Sequence, residues 1–324
     1  MTLDLLQILN QQYSISATAI KPFGPIWRVD SAKGCFALKK TGKSTTALSC
    51  IFETFVQLKQ AGFLALVLPE ISLENLPFFR FKNHIYQLFK WQEGYHPSFL
   101  DPALIQNSAS LFARLHRSSA EFVKPQDCEP PDLIANLEQR ATFLEGIFLG
   151  LKSQPHLNRI DRTILKWSEY YLTQAQYCLV GLQNVKQPPN YSSLLGFCHN
   201  DPAPRNIIIK NGAFFLIDFE LSAWGLLITE AAKLTTRVLQ ANNWQPELFD
   251  LVIDAYSQER PLVEWEQRIL PYLLCFPSQF WRISSQRWEE KLNWSERRFA
   301  AKLWKVTTEE PQRLLFLKSI LPGL

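Results

Sequence analysis

The chain has 324 residues, of which 47% are apolar and 20% charged, and its formal net charge is +4. This length predicts one or two domains with ample apolar material for a core. The basic residues are scattered with no run of five or more, which argues against a nucleic-acid or anionic-membrane surface, and no stretch approaches the roughly 18 apolar residues of a membrane span.

The first ninety residues alternate between helical and strand patterns. Apolar residues at helical spacing predict a short helix over 1–13. Two β-type runs, AIKPFGPIWRV and KGCFALKK, are separated by turn residues at 30–34, which predicts a hairpin. A helix is predicted over 44–61, with Ser44 as its N-cap and Gly62 after its end. Further strands are predicted in LALVLPEI and in FFRFKNHIYQLFKW.

After Gly94 the pattern becomes mostly helical. Asp101 followed by Pro102 predicts the start of a helix, because Asp caps a helix and Pro fits its first position. Long amphipathic stretches follow to the end of the chain. The sequence therefore predicts an α+β fold of two lobes, with a small β-rich N-terminal lobe over 1–92 and a larger helical C-terminal lobe over 93–324.

Six cysteines lie far apart in the chain and form no C-x-x-C pair: Cys35, Cys50, Cys128, Cys178, Cys198 and Cys275. This spacing excludes the usual zinc patterns and indicates reduced, buried thiols. The N-terminus also lacks the basic region and apolar stretch of a secretory signal. Together these observations predict a cytoplasmic protein.

The strongest chemical signal is the segment FCHNDPAPRNIIIKNGAFFLIDFE, within a predicted catalytic loop region over 198–220. Asp201 stands two residues after His199, Asn206 five further on, and Asp218 twelve after that. Phosphoryl transfer from ATP needs a carboxylate beside the acceptor hydroxyl, and an amide and a second carboxylate on Mg²⁺. We therefore predict that Asp201 is the catalytic base and that Asn206 and Asp218 are the metal ligands. His199 is predicted to bond the loop backbone.

A second group of residues is predicted to hold the nucleotide. Lys39 ends the strand segment FALK, which resembles the Val-Ala-Ile-Lys pattern of a phosphate-binding lysine. Lys40 competes for this role, but strand alternation places it on the opposite face. Such a lysine needs a carboxylate partner, and Glu53 in the following helix is predicted to face the sheet and pair with it.

Two further features carry competing interpretations. The segment TGKST at 41–45 has the ending of a P-loop, but Ala37 stands where that motif needs a glycine. We interpret it as a strand-to-helix turn. Glu220, two residues after Asp218, either supports the metal shell through water or faces solvent.

On these residues the chain resembles the protein-kinase-like superfamily in its small-molecule branch, with aminoglycoside phosphotransferases and choline kinases. Within that branch it most resembles CotS-type spore-coat kinase-like proteins, through WRVDSAKGCFALKK, LFARLHRSS, HNDPAPRN, IDFE and FPSQFWRI. The likeness spans about residues 18–290. It implies the bilobal protein-kinase-like fold, ATP and Mg²⁺ as cofactors, and a hinge over 89–94 beside adenine that offers backbone hydrogen bonds and includes the nucleotide-binding residues Phe89 and Trp91.

The sequence departs from that family at several positions. The glycine-rich loop is reduced to Gly24, and Asn200 stands where small-molecule kinases usually have Gly. Glu230 falls where the family has an Asp that braces the catalytic loop, and the longer carboxylate is expected to misplace that brace. Helical periodicity resumes by Thr229, which leaves no room for a long activation loop and argues against a regulated protein kinase.

Two functions follow from this sequence. The first is an ATP- and Mg²⁺-dependent phosphotransferase that acts on a hydroxyl of a small molecule or sugar, so its partners are a nucleotide and that acceptor. The second is a catalytically weak or inactive kinase-like structural protein of the bacterial spore coat, located there with other coat proteins as partners. Neither involves nucleic acid or a membrane, and the acceptor has no signature in the sequence.

Overall fold

The computed structural model describes residues 2–120, 122, 129–289, 294–321 and 323–324. The chain divides into two compact units. Unit 1 holds Met1–Pro130 and Leu195–Glu230, and unit 2 holds Pro131–Leu194 and Ala231–Leu324. The boundaries of these units lie at 130/131, 194/195 and 230/231. The predicted lobe boundary between residues 92 and 93 is a different division of the chain and stays a prediction. Every predicted site residue belongs to unit 1.

Unit 1 begins with helix α1 (Thr2–Gln12) and an antiparallel five-stranded sheet. The strands are β1 (Ala17–Phe23), β2 (Ile26–Ser31), β3 (Gly34–Thr41), β4 (Phe79–Phe81) and β5 (His84–Lys90), in the order β1-β2-β3-β5-β4. Leu5 and Leu9 of α1 are buried in one cluster with Val29, Leu38 and Leu88 of the sheet. Removing apolar surface from water stabilises by about 25 cal/mol per Å², so this cluster fixes which face of β3 points inward.

Helices α2 (Thr45–Gln60) and α3 (Pro102–Ser119) complete the first part of unit 1. Ser44 Oγ accepts the N–H of Ala47 at 3.2 Å, and Gly62 has a φ of +83° just after α2 ends. Asp101 accepts the first free N–H groups of α3. The predicted caps are confirmed, and 42–44 form the predicted strand-to-helix turn.

Two antiparallel two-stranded sheets and the start of a helix form the second part of unit 1. Strand β6 (Leu195–Cys198) pairs with β9 (Ala223–Leu226), and β7 (Ile207–Lys210) pairs with β8 (Ala213–Leu216). The β7–β8 turn is Asn211-Gly212, both with positive φ, as a two-residue hairpin requires. Helix α6 (Leu227–Ala241) follows β9 directly.

Unit 2 is helical in its described residues. It holds α4 (Leu133–Lys152), α5 (Arg159–Gln183), α7 (Glu247–Glu259), α8 (Glu264–Cys275), α9 (Ser278–Glu289) and α10 (Glu296–Ile320). Its core cluster includes Ile147, Tyr171, Phe280 and Leu303. The predicted α+β fold, with an N-terminal antiparallel sheet and a helical C-terminal part, is therefore confirmed.

Two predicted strands differ from the structure. The run AIKPFGPIWRV is not one strand but two, because it turns at Gly24-Pro25 between β1 and β2. The run LALVLPEI forms only isolated bridges, Leu66 with Leu216 and Pro69 with Phe89. Proline has no N–H to donate to a ladder, so this segment does not extend into a strand.

The cysteines only partly match their prediction. Cys35, Cys178, Cys198 and Cys275 are free thiols. Cys50 is disulfide-bonded, so the prediction of reduced thiols is wrong at that position. Cys128 lies outside the described residues.

Among the described helices, none has the length and apolar character needed to cross a membrane.

Candidate active site

The loop between β6 and β7 is organised by His199, whose side chain is buried. Its Nε2 lies 2.8 Å from the carbonyl oxygen of Ile217 and must donate to it. The other ring nitrogen, Nδ1, then accepts the backbone N–H of Asp201 at 3.3 Å. His199 thus joins the start of the loop to the end of β8, which confirms its predicted role as a bond to the loop backbone.

Glu230, in the first turn of α6, braces the same loop. Its carboxylate accepts the backbone N–H of His199 at 2.7 Å and also that of Asn200. The expectation that this longer side chain would misplace the brace is wrong. Asn200 has a φ of +67°, a conformation that Gly and Asn adopt more readily than other residues. This turns both N–H groups toward Glu230.

His116 of α3 completes the support of Glu230, with Nε2 2.9 Å from its Oε2. Both side chains are fully buried, and a buried carboxylate needs such partners. Potential ligand atoms of His116, Cys198 and Glu230 lie within 4.8 Å of one another. The carboxylate oxygens already accept from N–H donors, so we interpret this cluster as a brace for the loop. No local sequence pattern points to His116, because its partner Glu230 lies 114 residues away in the chain.

Asp201 and Asn206 lie together at the far end of the loop, and both are buried. Asn206 Nδ2 donates to the backbone oxygen of Asp201 at 2.9 Å and to its Oδ2 at 2.8 Å. The Asn206 amide oxygen is therefore left for another partner. Arg205, which the sequence analysis missed, also donates to Asp201 Oδ2 at 2.5 Å from a largely exposed position.

The β7–β8 hairpin brings the third predicted residue to this loop. The N–H of Ile217 donates to the Asn206 carbonyl oxygen at 3.0 Å. Asp218 is the residue after Ile217, so this bond brings it close to Asn206. Asp218 has a φ of +64° and is half-exposed. Such backbone conformations cost energy in non-glycine residues and cluster at functional sites.

Lys39 on β3 faces Asp218 and Glu220. Its ammonium contacts Asp218 Oδ1 and lies 3.2 Å from Glu220 Oε2. Burial by itself raises the pKa of Asp218, but the ammonium of Lys39, as donor and as charge, brings that pKa below its usual value. Lys40 points elsewhere, with its Nζ 3.2 Å from Nε2 of His84, as strand alternation predicts. The binding of nucleotide phosphates by Lys39 stays a prediction.

The predicted pairing of Lys39 with Glu53 is wrong. Glu53 is exposed on α2, whose buried face is formed by Leu48, Ile51, Thr54, Phe55 and Leu58. Glu220 stands in its place as the second carboxylate on Lys39. It does not simply face solvent, because it also accepts the Thr41 hydroxyl at 2.9 Å.

The predicted nucleotide contacts on the hinge lie at the end of β5. Phe89 pairs with Ala37 in the sheet. The N–H of Trp91 donates to the Cys35 carbonyl oxygen at 3.0 Å, so it is already used within the sheet. The contact of Phe89 and Trp91 with adenine stays a prediction.

The side-chain atoms of this site suit the cofactors predicted from the sequence, ATP and Mg²⁺. Mg²⁺ prefers hard oxygen ligands and is usually bound by one or two carboxylates together with phosphate oxygens. The Asn206 amide oxygen and the Asp218 carboxylate are such ligands, and Lys39 adds a positive charge next to them. These residues therefore fit a magnesium-bound nucleotide.

Known proteins share this fold and this sequence pattern. A sequence model of the phosphotransferase enzyme family matches residues 26–268. The structure is similar to an aminoglycoside phosphotransferase from Alicyclobacillus acidocaldarius subsp. acidocaldarius DSM 446, with a TM-score of 0.80 and 20% identity over 98% of this chain and 95% of that one.

Two further structures have lower identity. A spectinomycin phosphotransferase in complex with ADP and spectinomycin gives a TM-score of 0.72 and 12% identity over 97% of this chain and 98% of that one. A choline/ethanolamine kinase family protein from Mesorhizobium loti gives a TM-score of 0.63 and 13% identity over 100% of both chains. At these identities the similarity shows the fold alone.

Proposed function

The chain belongs to the phosphotransferase enzyme family, which matches residues 26–268, and we propose that it is an ATP- and Mg²⁺-dependent phosphotransferase acting on a hydroxyl of a small molecule or sugar. The observation that carries this proposal is the position of Lys39 on Asp218, in the same unit as the Asp201–Asn206 pair. Base, metal ligands and phosphate-binding cation are then all present.

Each residue has a defined part in the reaction. Lys39 binds the nucleotide phosphates, and Asn206 and Asp218 would hold Mg²⁺, which supplies positive charge to the phosphate oxygens. Asp201 orients the acceptor hydroxyl and takes its proton as the hydroxyl oxygen bonds to the γ-phosphorus. The bond from that phosphorus to the β–γ bridging oxygen breaks, and ADP leaves. Positioning of this kind supplies much of the rate of phosphoryl transfer.

The adenine contact is proposed at the hinge, beside Phe89 and Trp91. The Trp91 ring is held by Phe23, whose ring centroid lies 5.1 Å away, and by the Arg28 guanidinium at 5.3 Å. A fixed aromatic ring offers a stacking surface at low entropic cost. This supports a role for the Trp91 ring rather than for its N–H.

The second candidate, a structural protein of the spore coat related to the CotS type, rests on the sequence motifs and on the sparse glycine loop. The β1–β2 turn consists of Gly24 and Pro25 only, and Pro25 has no N–H for a phosphate. Glu230 no longer favours this candidate, because its carboxylate accepts both N–H groups of the loop.

Calorimetry with ATP or GTP and MgCl₂ separates the two candidates. We expect the wild-type protein to bind ATP, and Asp218→Asn to weaken binding at least tenfold. Asp254→Asn removes the same charge from an exposed position on α7 and is expected to bind like the wild type. No binding of either nucleotide to the wild type would exclude the phosphotransferase and favour the structural protein.

Release of ADP over a panel of amines, aminoglycosides and sugars then tests the reaction. We expect Asp201→Asn to lower turnover by about 10²- to 10⁴-fold, the usual contribution of a general base. Nucleotide affinity should change little, because Asp201 acts on the acceptor. Full turnover in this variant would remove Asp201 from the role of base.

A further inference from the structure

The turn between β3 and α2 is bonded to the segment 218–222, about 180 residues later in the chain. The Thr41 hydroxyl lies 2.9 and 3.1 Å from the two carboxylate oxygens of Glu220, and the Gly42 N–H donates to Oε1 of the same carboxylate at 3.3 Å. Lys43 Nζ donates to the backbone oxygen of Ser222 at 3.3 Å.

The geometry of this turn depends on the Thr41 hydroxyl. Besides contacting Glu220, its oxygen accepts the backbone N–H of Lys43 at 3.1 Å. Thr41 is buried, with an exposure of 7%. A buried hydroxyl that both donates and accepts holds its neighbours in one arrangement, because losing either bond leaves a buried polar group unpaired.

The segment 218–222 needs such support. Asp218 is in the left-handed region with a φ of +64°, and a non-glycine residue stays there only when its surroundings hold it. Glu220 is bonded on one side by Thr41 and Gly42, and on the other it lies 3.2 Å from Lys39. One carboxylate therefore joins the turn to the lysine of the candidate site.

We propose that Thr41 and Lys43 are positioning residues that clamp segment 218–222 to the end of β3 and so fix the distance between Lys39 and Asp218. The effect of this clamp on catalysis rests on the proposed phosphotransferase function. The clamp as a structural contact does not depend on that function. This clamp also gives the TGKST segment a structural role. Its glycine N–H donates to a protein carboxylate, so here these residues bind the chain's own Glu220.

Two substitutions at Thr41 distinguish this role from simple packing. Thr41→Ser keeps the hydroxyl and loses a methyl group, whereas Thr41→Val keeps the shape and loses the hydroxyl. For the clamp, we expect Thr41→Ser to retain the wild-type kcat and Thr41→Val to lose about tenfold or more, since small misplacements are costly in such reactions. The opposite order, with Thr41→Val close to wild type and Thr41→Ser impaired, would overturn the clamp.

Hydrogen exchange tests the clamp without any reaction. We expect amides in 42–45 and 217–223 to exchange faster in Thr41→Val and Lys43→Met. Lys40→Met is the control, because Lys40 is exposed and contacts His84, and it should leave both segments unchanged. Unchanged exchange in both clamp variants would refute the clamp even in an active enzyme. If the wild type binds no nucleotide but both clamp variants still exchange faster in these segments, only the phosphotransferase function is refuted.

Discussion

Two residues of the candidate site, Asn200 and Asp218, have positive φ angles of 67° and 64°. This region costs most L-residues about 1–2 kcal/mol, whereas Gly enters it freely and Asn and Asp do so more readily than others. The sequence resemblance implies a Gly at this position in small-molecule kinases, and at a positive φ an Asn is a conservative replacement for that Gly. It therefore does not count against activity.

Substitutions at Asn200 test this conformation. Asn200→Gly is expected to be more stable than Asn200→Ala by about 1 kcal/mol, because only the alanine Cβ is strained at a positive φ. Asn107, exposed on α3, is the control, and there Ala should be more stable than Gly by about the same amount. Urea unfolding measures all four variants. Equal stability of the two Asn200 variants would contradict the left-handed backbone.

At the scale of elements, local signals predicted where helices α2 and α3 begin. Ser44 and Asp101 cap their helices as expected, because a short polar side chain before an amphipathic run satisfies the first free N–H groups. The motif from His199 to Asp218 also predicted one site, since its residues flank a single hairpin. Such features depend on contacts between residues that are close in the chain.

The partner of Lys39 could not be predicted in this way. An apolar stripe of Ile51, Phe52, Phe55 and Leu58 would turn Glu53 toward the sheet. In the structure, however, Phe52 is only half-buried and Thr54 is fully buried. Thr54 enters the core because its hydroxyl donates to the Cys50 carbonyl oxygen at 3.0 Å. A threonine satisfied within its own helix behaves as an apolar residue. The buried face is thus rotated away from Glu53.

The segment that leads from β5 toward α3 contains a position where only glycine fits. A Cβ on Gly94 would lie 2.4 Å from the Ile209 carbonyl oxygen and 2.6 Å from Ile208 Cγ2, and its φ is +149°. The next residue, Tyr95, exchanges two backbone hydrogen bonds with Ile209 of β7. The hinge segment is therefore held directly against the strand that follows the catalytic loop.

Gly94→Ala is expected to destabilise the protein by about 2–3 kcal/mol, because the added methyl group meets backbone atoms that cannot move independently. Gly146→Ala is the matched control. It lies inside α4 with no atom within 4 Å of its Cβ, and there Ala should stabilise by about 0.5–1 kcal/mol. Thermal and urea unfolding of both variants measure the difference. A neutral Gly94→Ala would contradict the close contact between the hinge and β7.

The brace formed by Glu230 links α3, the catalytic loop and α6. In Glu230→Gln one carboxylate oxygen becomes an NH₂ group, which faces an N–H donor and leaves it unpaired in a buried position. We expect the free energy of unfolding to fall by about 2–3 kcal/mol, since a buried unsatisfied donor costs about 1–3 kcal/mol. Glu53→Gln, at an exposed position, should stay within about 0.5 kcal/mol of the wild type. Equal urea midpoints for the two variants would argue against the brace.

At the scale of the whole molecule, each unit has its own buried cluster. Leu9, Val29 and Leu38 belong to the cluster of unit 1, whereas Tyr171 and Phe280 stack at 4.2 Å in unit 2. Local stability in proteins follows such cooperative regions. All residues proposed to bind nucleotide or metal lie in unit 1, so ligand binding should stabilise that unit directly.

Hydrogen exchange with and without ATP and Mg²⁺ tests this distribution. A ligand at 100 times its Kd adds about 2.7 kcal/mol to the state that binds it. We therefore expect exchange in 36–41, 198–206 and 217–222 to slow by up to about 100-fold. Amides of α5 and α9, around Tyr171 and Phe280, should keep their rates, because openings of that core do not require release of the nucleotide. Asp218→Asn should abolish the slowing in unit 1, and equal slowing in both cores would mean that the two units open as one.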